Sequence, residues 1–352
     1  MFAQRFEQGQ LGNYGQADAA LRGAQGFTDL DMFRAAQLEM SIVRMEQQGV
    51  RNARPMAEDA QKLIDVAVTK VGLQRLSVVA EVISRGLVFN IPNWLSVLNL
   101  QWDKGARFGT AVQTMTPGTA LEGSQPSLTA SNIPIYATMI GGDFGVRQMA
   151  AAARVGTPMD TTAIEEWTRA TNESIEDQAV NGSVLTVSGN SAAGLLNAPN
   201  RATFAYVDNE AWTAAGHSGE DILTDVQAGI TQLQNDSFFG PYTLFVNGPY
   251  NNKLNIDFKS NSDKTIRQRL EEIVNGGEGL RIVAADLLGT DRTVIAQMTS
   301  DVLDVVQGQQ PTAITWSPEP GFVTMINIMA CMILRPKDTA AGTSGIATGF
   351  TT

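Results

Sequence analysis

The sequence predicts an α+β fold, because one long amphipathic helix, several shorter helices and many strand-like runs share the chain. The clearest helix is predicted from Thr162 to Val180, about 28 Å long at roughly 1.5 Å per residue. Asn181 and Gly182 predict its end, since such residues adopt a left-handed cap conformation at low cost. The long apolar run from Phe322 to Leu334 is typical of a strand covered on both faces.

The predicted long helix carries one buried stripe and a start signal. Its apolar positions follow three- and four-residue steps, namely Ile164, Trp167, Thr171, Ile175 and Ala179. Thr162 and Glu165 have the spacing of a capping box, and Pro158 and Asp160 precede them. On the same helix, Arg169 lies four residues after Glu165 and four residues before Glu173. It should form weak ion pairs with them.

The chain before this helix predicts an arm and two helical stretches. Residues 1–26 are rich in Gln, Gly, Ala and Asn, and we interpret them as an extended or partly disordered arm. A helix is predicted from Thr28 to Gly49. A second helical stretch covers residues 57–84, where Gly72 could divide it into two pieces, and Trp94 to Trp102 is predicted to be a strand.

Residues 105–132 are rich in Thr, Ser, Gly and Pro and show no helical stripe. The ordinary interpretation is a flexible surface loop. Strand-like runs flank it, however, with LSVLNLQW before and IPIYATMI after. These runs predict a long two-stranded projection, which needs a partner because an isolated ribbon is barely stable in water.

The chain after the long helix predicts short strands and then a compact α/β region. Asn197 to Asn200 form a turn signal. A helix is predicted from Ser218, with Asp221 completing its cap, and Pro249 suits the first position of a short helix. Another helix is predicted from Ser262, closed by residues 275–277. Strands are predicted in YTLFVN, LRIVAADLL, RTVIAQMT and DVLDVVQG.

Composition excludes several classes of protein. The net charge of −11, with no basic run, argues against a dedicated nucleic-acid-binding domain. The single cysteine, Cys331, cannot form an internal disulfide, and its apolar neighbours predict a buried, inert thiol. We find neither a signal peptide nor about 20 consecutive apolar residues, and therefore expect cytoplasmic synthesis and no membrane partner.

Residues able to carry catalysis are scarce. His217 is the only histidine, which excludes multi-histidine metal sites and leaves it as the sole candidate base for a Ser-His-Asp triad. The sequence has no Gly-x-Ser-x-Gly elbow, no dinucleotide fingerprint and no phosphate-binding loop. We expect no catalytic residue, no metal and no cofactor, and we expect His217 in a cap region or at the surface.

Four blocks in order along the chain resemble the major capsid proteins of tailed phages, most closely their encapsulin-like branch. The blocks are Asp65 to Trp102, Ile133 to Gly182, Phe238 to Leu254 and Met332 to Gly349. The resemblance implies a Hong Kong 97-type fold with an N-terminal arm, an extended loop, a peripheral domain with a long spine helix, and an axial domain. On this basis the chain divides into an arm (1–55), a first peripheral part (56–104), the extended loop (105–145), a peripheral part with the spine helix (146–215), the axial domain (216–320) and a closing strand with the tail (321–352).

The resemblance also implies contacts between subunits. Candidate contact residues lie in the arm, the extended loop and the spine helix: Phe33, Ile42, Pro117, Glu122, Pro126 and Trp167. Some capsid relatives join subunits by Lys–Asn isopeptide bonds with the lysine on the extended loop. This chain has no lysine between Gly105 and Asn252, and Lys104 lies only at the root of the loop. We therefore expect no covalent linkage of that arrangement.

Three functions are open at this point. The first is a non-enzymatic phage major capsid protein that assembles with itself, as pentamers and hexamers, around double-stranded DNA bound non-specifically. Scaffold, portal or decoration proteins would be further partners; assembly would occur in the host cytoplasm, and the protein would end in the virion capsid. The second is an encapsulin shell protein that encloses an enzyme cargo. The third is a soluble enzyme with an unrecognised site.

Overall fold

A computed structural model describes residues 64–69, 76–105, 115, 128–145, 147, 161–187, 189–259, 262–275, 278–316 and 323–351. Residues 64–69 are helical, and five further helices are α1 (Val78–Ser84), α2 (Thr162–Asn181), α3 (Gly219–Asn235), α4 (Gly248–Lys253) and α5 (Ile266–Glu271). The strands of the first half are β1 (Val88–Asn90), β2 (Asn99–Lys104), β3 (Thr129–Pro134), β4 (Thr138–Gly145), β5 (Thr186–Val187), β6 (Asn190–Ser191) and β7 (Ala202–Ala205). Those of the second half are β8 (Tyr242–Val246), β9 (Val274–Asn275), β10 (Glu278–Gly279), β11 (Arg281–Ala284), β12 (Arg292–Gln297), β13 (Leu303–Trp316), β14 (Val323–Pro336) and β15 (Ile346–Phe350).

Two larger sheets organise these elements, and the α+β prediction is confirmed. The four-stranded sheet has the order β1-β13-β14-β4, in which β1 runs parallel to β13 and the other pairs are antiparallel. The five-stranded sheet has the order β11-β8-β12-β15-β7 and mixes parallel and antiparallel pairs. Both sheets contain strands from different predicted parts of the chain. The five-stranded sheet includes β7, which lies before residue 215, and β15, which lies after residue 320. The four-stranded sheet includes β13, which lies between these two boundaries.

The largest apolar cluster lies where the two sheets meet. It brings together side chains of α1, the C-terminal half of α2, β12, β13 and β14, among them Ile175, Val294 and Val305. A second cluster lies between α3 and the five-stranded sheet and contains Trp212, Tyr250 and Ile295. Burial of both faces explains the nearly continuous apolar sequences of β8 and of β14 from Ala330 onwards.

The structure describes the base of the predicted two-stranded projection. Strands β2 and β3 pair antiparallel from Asn99 opposite Pro134 to Lys104 opposite Thr129, and we call this pair the ribbon. The predicted strand at Trp94 begins late, because Trp94–Ser96 form a 3-10 turn before β2. Residues 106–114 and 116–127 of the predicted loop lie outside the described residues.

The long helix runs from Thr162 to Asn181, and its predicted end at Gly182 is confirmed by a φ of +85° there. The predicted capping box is wrong: Thr161 is the N-cap residue, its side chain makes no capping hydrogen bond, and Thr162 is already helical. Pro158, Asp160, the arm and the helix predicted from Thr28 lie outside the described residues, as does Gly72.

Other local predictions have mixed outcomes. The cap of Ser218 and Asp221 is confirmed at the start of α3. The helix predicted from Ser262 begins later, since Thr265 caps α5 in a box with Gln268. Pro249 occupies the second helical position, after Gly248. Full burial of β14 holds from Ala330 onwards, whereas its first half alternates between half-buried and buried residues.

Candidate functional site

Helix α2 lies against the four-stranded sheet through a small apolar cluster. Ile164 packs with Ile326 and Ile328 of β14. The same cluster contains Ile64, Ala67 and Val68 of the helical residues 64–69. Trp167 meets the Phe144 ring edge to face, with 5.8 Å between ring centroids. A Cβ at Gly142 would stand 2.7 Å from the Trp167 ring, so the glycine makes room for this indole. The predicted contact candidate Trp167 is therefore half-buried and packs within the subunit.

A buried carboxylate joins α2 to α1. Glu176 accepts hydrogen bonds from the backbone amides of Val78 (2.6 Å) and Val79 (3.3 Å), and from the amide (3.1 Å) and hydroxyl (2.6 Å) of Ser77. These amides belong to the unsatisfied first turn of a helix, where negative charge is favourable. Burial raises the pKa of Glu176, and the hydrogen bonds from Ser77, Val78 and Val79 oppose that rise. One side chain thus sets the position of α1 on the long helix.

The root of the ribbon is fixed by a buried arginine. The Arg335 guanidinium donates to both carboxylate oxygens of Asp304 at 2.8 and 2.5 Å, and Lys337 adds a third contact at 2.8 Å. The same guanidinium lies 5.0 Å from the ring centroids of Phe89 on β1 and Trp102 on β2. Guanidinium groups stack on aromatic faces while they bind carboxylates, so Arg335 connects the ribbon to the four-stranded sheet.

Lys104 makes a second connection from the ribbon to the body. Its ammonium group lies 2.7 Å from the carboxylate of Asp338, whose side chain is buried. The Asn200 side-chain amide donates to the same carboxylate at 2.7 Å. The only lysine near the predicted loop is therefore held against the body of its own subunit.

On the side opposite α2, the four-stranded sheet exposes large apolar side chains beside the polar residues Asp143 and Asn327. Its register places Trp316 opposite Met325, and Met329 between Thr312 and Met139. Met139 is 58% exposed and Trp316 is 39% exposed, although both are large apolar residues. We call Met139, Ile314, Trp316, Met325 and Met329 the open face. Apolar patches of this kind mark interaction surfaces on soluble proteins.

His217 directly precedes the N-cap residue of α3, so its predicted place in a cap region is confirmed, and it is buried there rather than at the surface. Its Nε2 lies 3.1 Å from Oδ2 of Asp225, which also accepts a hydrogen bond from the Trp212 indole at 2.8 Å. Asp225 Oδ1 accepts from the Val207 amide at 2.7 Å. Burial raises the pKa of Asp225, and these hydrogen bonds oppose the rise. The network fixes the loop before α3, and these four residues include no serine or cysteine that could act as a nucleophile.

Cys331 is buried, as predicted, and burial raises the pKa of its thiol to about 11. Among the residues that the structure describes, no group of three or more His, Cys, Asp or Glu side chains could hold a metal ion. Over the same part of the chain, no helix is both long and apolar enough to span a membrane.

A family described as a family of unknown function, DUF6260, matches residues 119–344, from the predicted loop to the turn before β15. The chain belongs to this family. No curated protein matches the sequence.

Solved structures resemble this DUF6260 member over most of its length. A chain of the virus-like particle from Pyrococcus furiosus matches with a TM-score of 0.57 and 17% identity, over 81% of this chain and 97% of the other. The capsid of Myoviridae phage XM1 matches with a TM-score of 0.55 and 14% identity, over 77% and 91%. A chain from Mycobacterium phage Cain matches with a TM-score of 0.51 and 12% identity, over 77% and 89%. The predicted Hong Kong 97-type fold is confirmed.

Of the predicted contact residues, only Trp167 lies in the described part of this DUF6260 member. Phe33, Ile42, Pro117, Glu122 and Pro126 lie outside it, and their roles stay predictions. Sequence reasoning missed the structural roles of Glu176 and Arg335. An acidic residue one position after Ile175, on the buried stripe, was the available signal for Glu176. The arginine that ends the apolar run of β14 was the signal for Arg335.

Proposed function

We propose that the protein is the major capsid protein of a tailed phage, a structural rather than catalytic protein. Many copies would assemble, as pentamers and hexamers, into an icosahedral shell that encloses double-stranded DNA. The observation that carries the proposal is the fold, which extends over nearly the whole length of a phage capsid chain at a TM-score of 0.55. The DNA would be held without sequence-specific contacts, consistent with a net charge of −11.

Two features of the described residues support contacts between copies. The ribbon leads into residues 106–127, which the sequence predicts to continue as a two-stranded projection, and such a projection is barely stable without a partner surface. The open face offers large, partly exposed apolar side chains, the kind of surface that packs at the core of a protein interface. In this proposal residues 106–127 of the predicted extended loop (105–145) and the arm (1–55) of one copy lie across a neighbouring copy, whereas residues 138–145 form β4 in the subunit's own sheet. The contact residues are Pro117, Glu122, Pro126, Phe33 and Ile42, and Trp167 packs beneath the receiving sheet.

The proposal includes partners and a place of assembly. The shell would form in the cytoplasm of the host bacterium and become the capsid of the virion. Scaffold, portal and decoration proteins are the further partners of such shells. The predicted division into peripheral and axial parts is the arrangement in which these contacts would be made.

Size-exclusion chromatography with light scattering, followed by negative-stain imaging, tests self-assembly directly. We expect closed shells, pentamers or hexamers from the purified protein, or from the protein expressed with its scaffold. Ile314→Glu on the open face should reduce assembly, because it would bury a charge at the contact. Leu287→Glu is the matched control, since Leu287 is 37% exposed against 38% for Ile314 and lies in the turn between β11 and β12. A monomer under every condition, or equal assembly of Ile314→Glu and wild type, contradicts the proposal.

A second candidate is an encapsulin-type shell that encloses an enzyme cargo. The likeness to the virus-like particle from Pyrococcus furiosus, with 97% of that chain covered, favours it. The neighbouring genes separate the two candidates. Genes for a portal and a terminase would support the phage capsid, whereas a gene for a peroxidase or a ferritin-like protein would support the encapsulin.

A further inference from the structure

A polar groove of about 470 Å³ lies on the five-stranded sheet and has no part in the contacts described above. It is lined by Leu196, Arg201, Thr203, Thr290, Asp291, Arg292, Thr348, Gly349, Phe350 and Thr351. Thr203 pairs with Thr348 across β7 and β15. Their neighbours Phe204 and Ala347 pack in the α3 cluster, so the two threonines point to the opposite face of the sheet.

Two arginines of the groove lack the partners that other arginines of the protein have. Among the described residues, no ion pair joins Arg201 or Arg292 to a carboxylate. Each of the following arginines, by contrast, has a carboxylate within ion-pair distance: Arg85, Arg169, Arg267, Arg269, Arg281 and Arg335. On a chain of net charge −11, two arginines without acidic partners in one concave site are a local excess of positive charge.

The arrangement of the groove leaves guanidinium donors available. The Arg201 Nε donates to the hydroxyl of Thr348 at 3.2 Å, which orients the guanidinium at the groove wall. Asp291 is the only acidic residue in the described lining, and it accepts a hydrogen bond from the Tyr250 hydroxyl at 3.1 Å. Its φ of +60° is an uncommon conformation for a residue other than glycine. Two arginines against one aspartate leave the lining with a net positive charge of one.

We propose that this groove binds a phosphate group through Arg201 and Arg292, with the threonine hydroxyls completing its hydrogen bonds. A guanidinium presents paired donors that match phosphate oxygens, and such charge-assisted bonds are among the strongest in proteins. The groove volume is in the range that holds small ligands. The phosphate could belong to a free phosphate compound or to a nucleic-acid backbone, and the chemistry at the arginines is the same. The site does not depend on the proposed shell function.

Calorimetric titration of the purified full-length protein with inorganic phosphate tests the site. We expect Arg292→Glu to weaken phosphate binding about ten-fold or more, because it replaces a charge-assisted donor with a like charge. Arg292 is exposed and has no ion pair among the described residues, so this variant should keep the wild-type circular dichroism spectrum and melting temperature. Arg201→Met should weaken binding as well. Arg269→Glu, which changes an exposed arginine of α5, should leave phosphate affinity unchanged.

Two results would overturn the proposal. One is the absence of phosphate binding to the wild-type protein, and the other is equal affinity in wild type and Arg292→Glu. A short DNA duplex then identifies the source of the phosphate. Competition between duplex and phosphate that is lost in Arg292→Glu assigns the groove to a nucleic-acid backbone. Phosphate binding that the duplex does not displace assigns it to a free phosphate compound.

Discussion

At the scale of single residues, Glu176 combines a buried carboxylate with four hydrogen bonds from the start of one helix. Its carboxylate is buried on α2 and is the acceptor for three backbone amides and one hydroxyl at the start of α1. A polar group in this position stabilises the fold only because its partners would otherwise be buried without acceptors. The residue therefore makes the contact between the two helices specific.

Replacing Glu176 with alanine should lower the free energy of unfolding by about 2–4 kcal/mol, because the amides of Ser77, Val78 and Val79 lose their acceptor in a buried place. Chemical denaturation of the unassembled protein would measure the change. Glu166→Ala on the same helix is the control and should change stability by less than about 0.5 kcal/mol, since Glu166 is exposed. Equal losses in both variants would refute the role of Glu176.

The Cys331 thiol should be unreactive in the folded protein. With a pKa of about 11, its thiolate fraction at pH 8 is about one in a thousand, and burial excludes reagents as well. Maleimide labelling at pH 8, followed by mass spectrometry, should show little modification of the native protein and full modification in denaturant. Because the chain has one cysteine, any labelling of the native protein at the denatured rate would disprove this expectation.

Residues with distant partners escaped sequence-based prediction. His217 was expected in a cap region or at the surface, yet Asp225, Trp212 and the Val207 amide form a buried network around it. The sequence predicted the start of α3 at Ser218. It did not predict that the preceding loop folds over α3. Arg335 likewise meets its stacking partners Phe89 and Trp102 only because the sheet brings β1 and β2 beside β14.

At the scale of elements, the long helix was predictable because local signals agree. A stripe at helical spacing and a glycine stop define Thr162 to Asn181 to within one residue. The start was less certain, since two threonines stand side by side and only the first is the cap. The end of α5 was missed because Val274 has the right helical spacing but pairs in β9 with β10 instead. Strand pairing decided that position, and periodicity alone cannot reveal it.

The contact of α2 with β4 requires a glycine at position 142, because a larger residue would overlap the Trp167 ring. Gly142→Ala should destabilise the protein by about 1–3 kcal/mol, because the new methyl group overlaps the Trp167 ring. In a Trp167→Ala background the same change should cost much less, which a double-mutant cycle measures. Gly145→Ala, on the same strand with open space at its Cβ, should have little effect. Additive losses in the double variant would contradict direct contact.

At the scale of the whole molecule, we expect assembled particles to be held by non-covalent contacts. The sequence has no lysine between Gly105 and Asn252, and Lys104 is paired with Asp338 of its own subunit. Boiled particles should therefore run as a single band of 37.7 kDa in denaturing electrophoresis. A ladder of higher bands that persists after boiling and reduction would show covalent linkage.

The arrangement of the sheets could not be derived from the sequence. Individual strands are visible as apolar runs, but β7 and β15 are neighbours although they lie far apart in the chain. Likewise, β1 pairs with β13 across more than half of the chain. Pairings of this kind depend on the packing of the complete core rather than on local residues. The resemblance to capsid proteins implied the type of fold, whereas local sequence patterns did not predict which strands pair.

The position of β15 has a consequence for the order of events during synthesis. Among the described strands, β7 has β15 as its only neighbour in the sheet, and 141 positions separate Ala205 from Ile346 (346 minus 205). At about 5–20 residues per second, translation reaches β15 roughly 7–28 seconds after it has passed β7. The five-stranded sheet therefore cannot be complete before β15 has been translated. Nascent chains that end before Ile346 lack β15, and β7 has no partner strand in this sheet until the chain has been translated through Phe350.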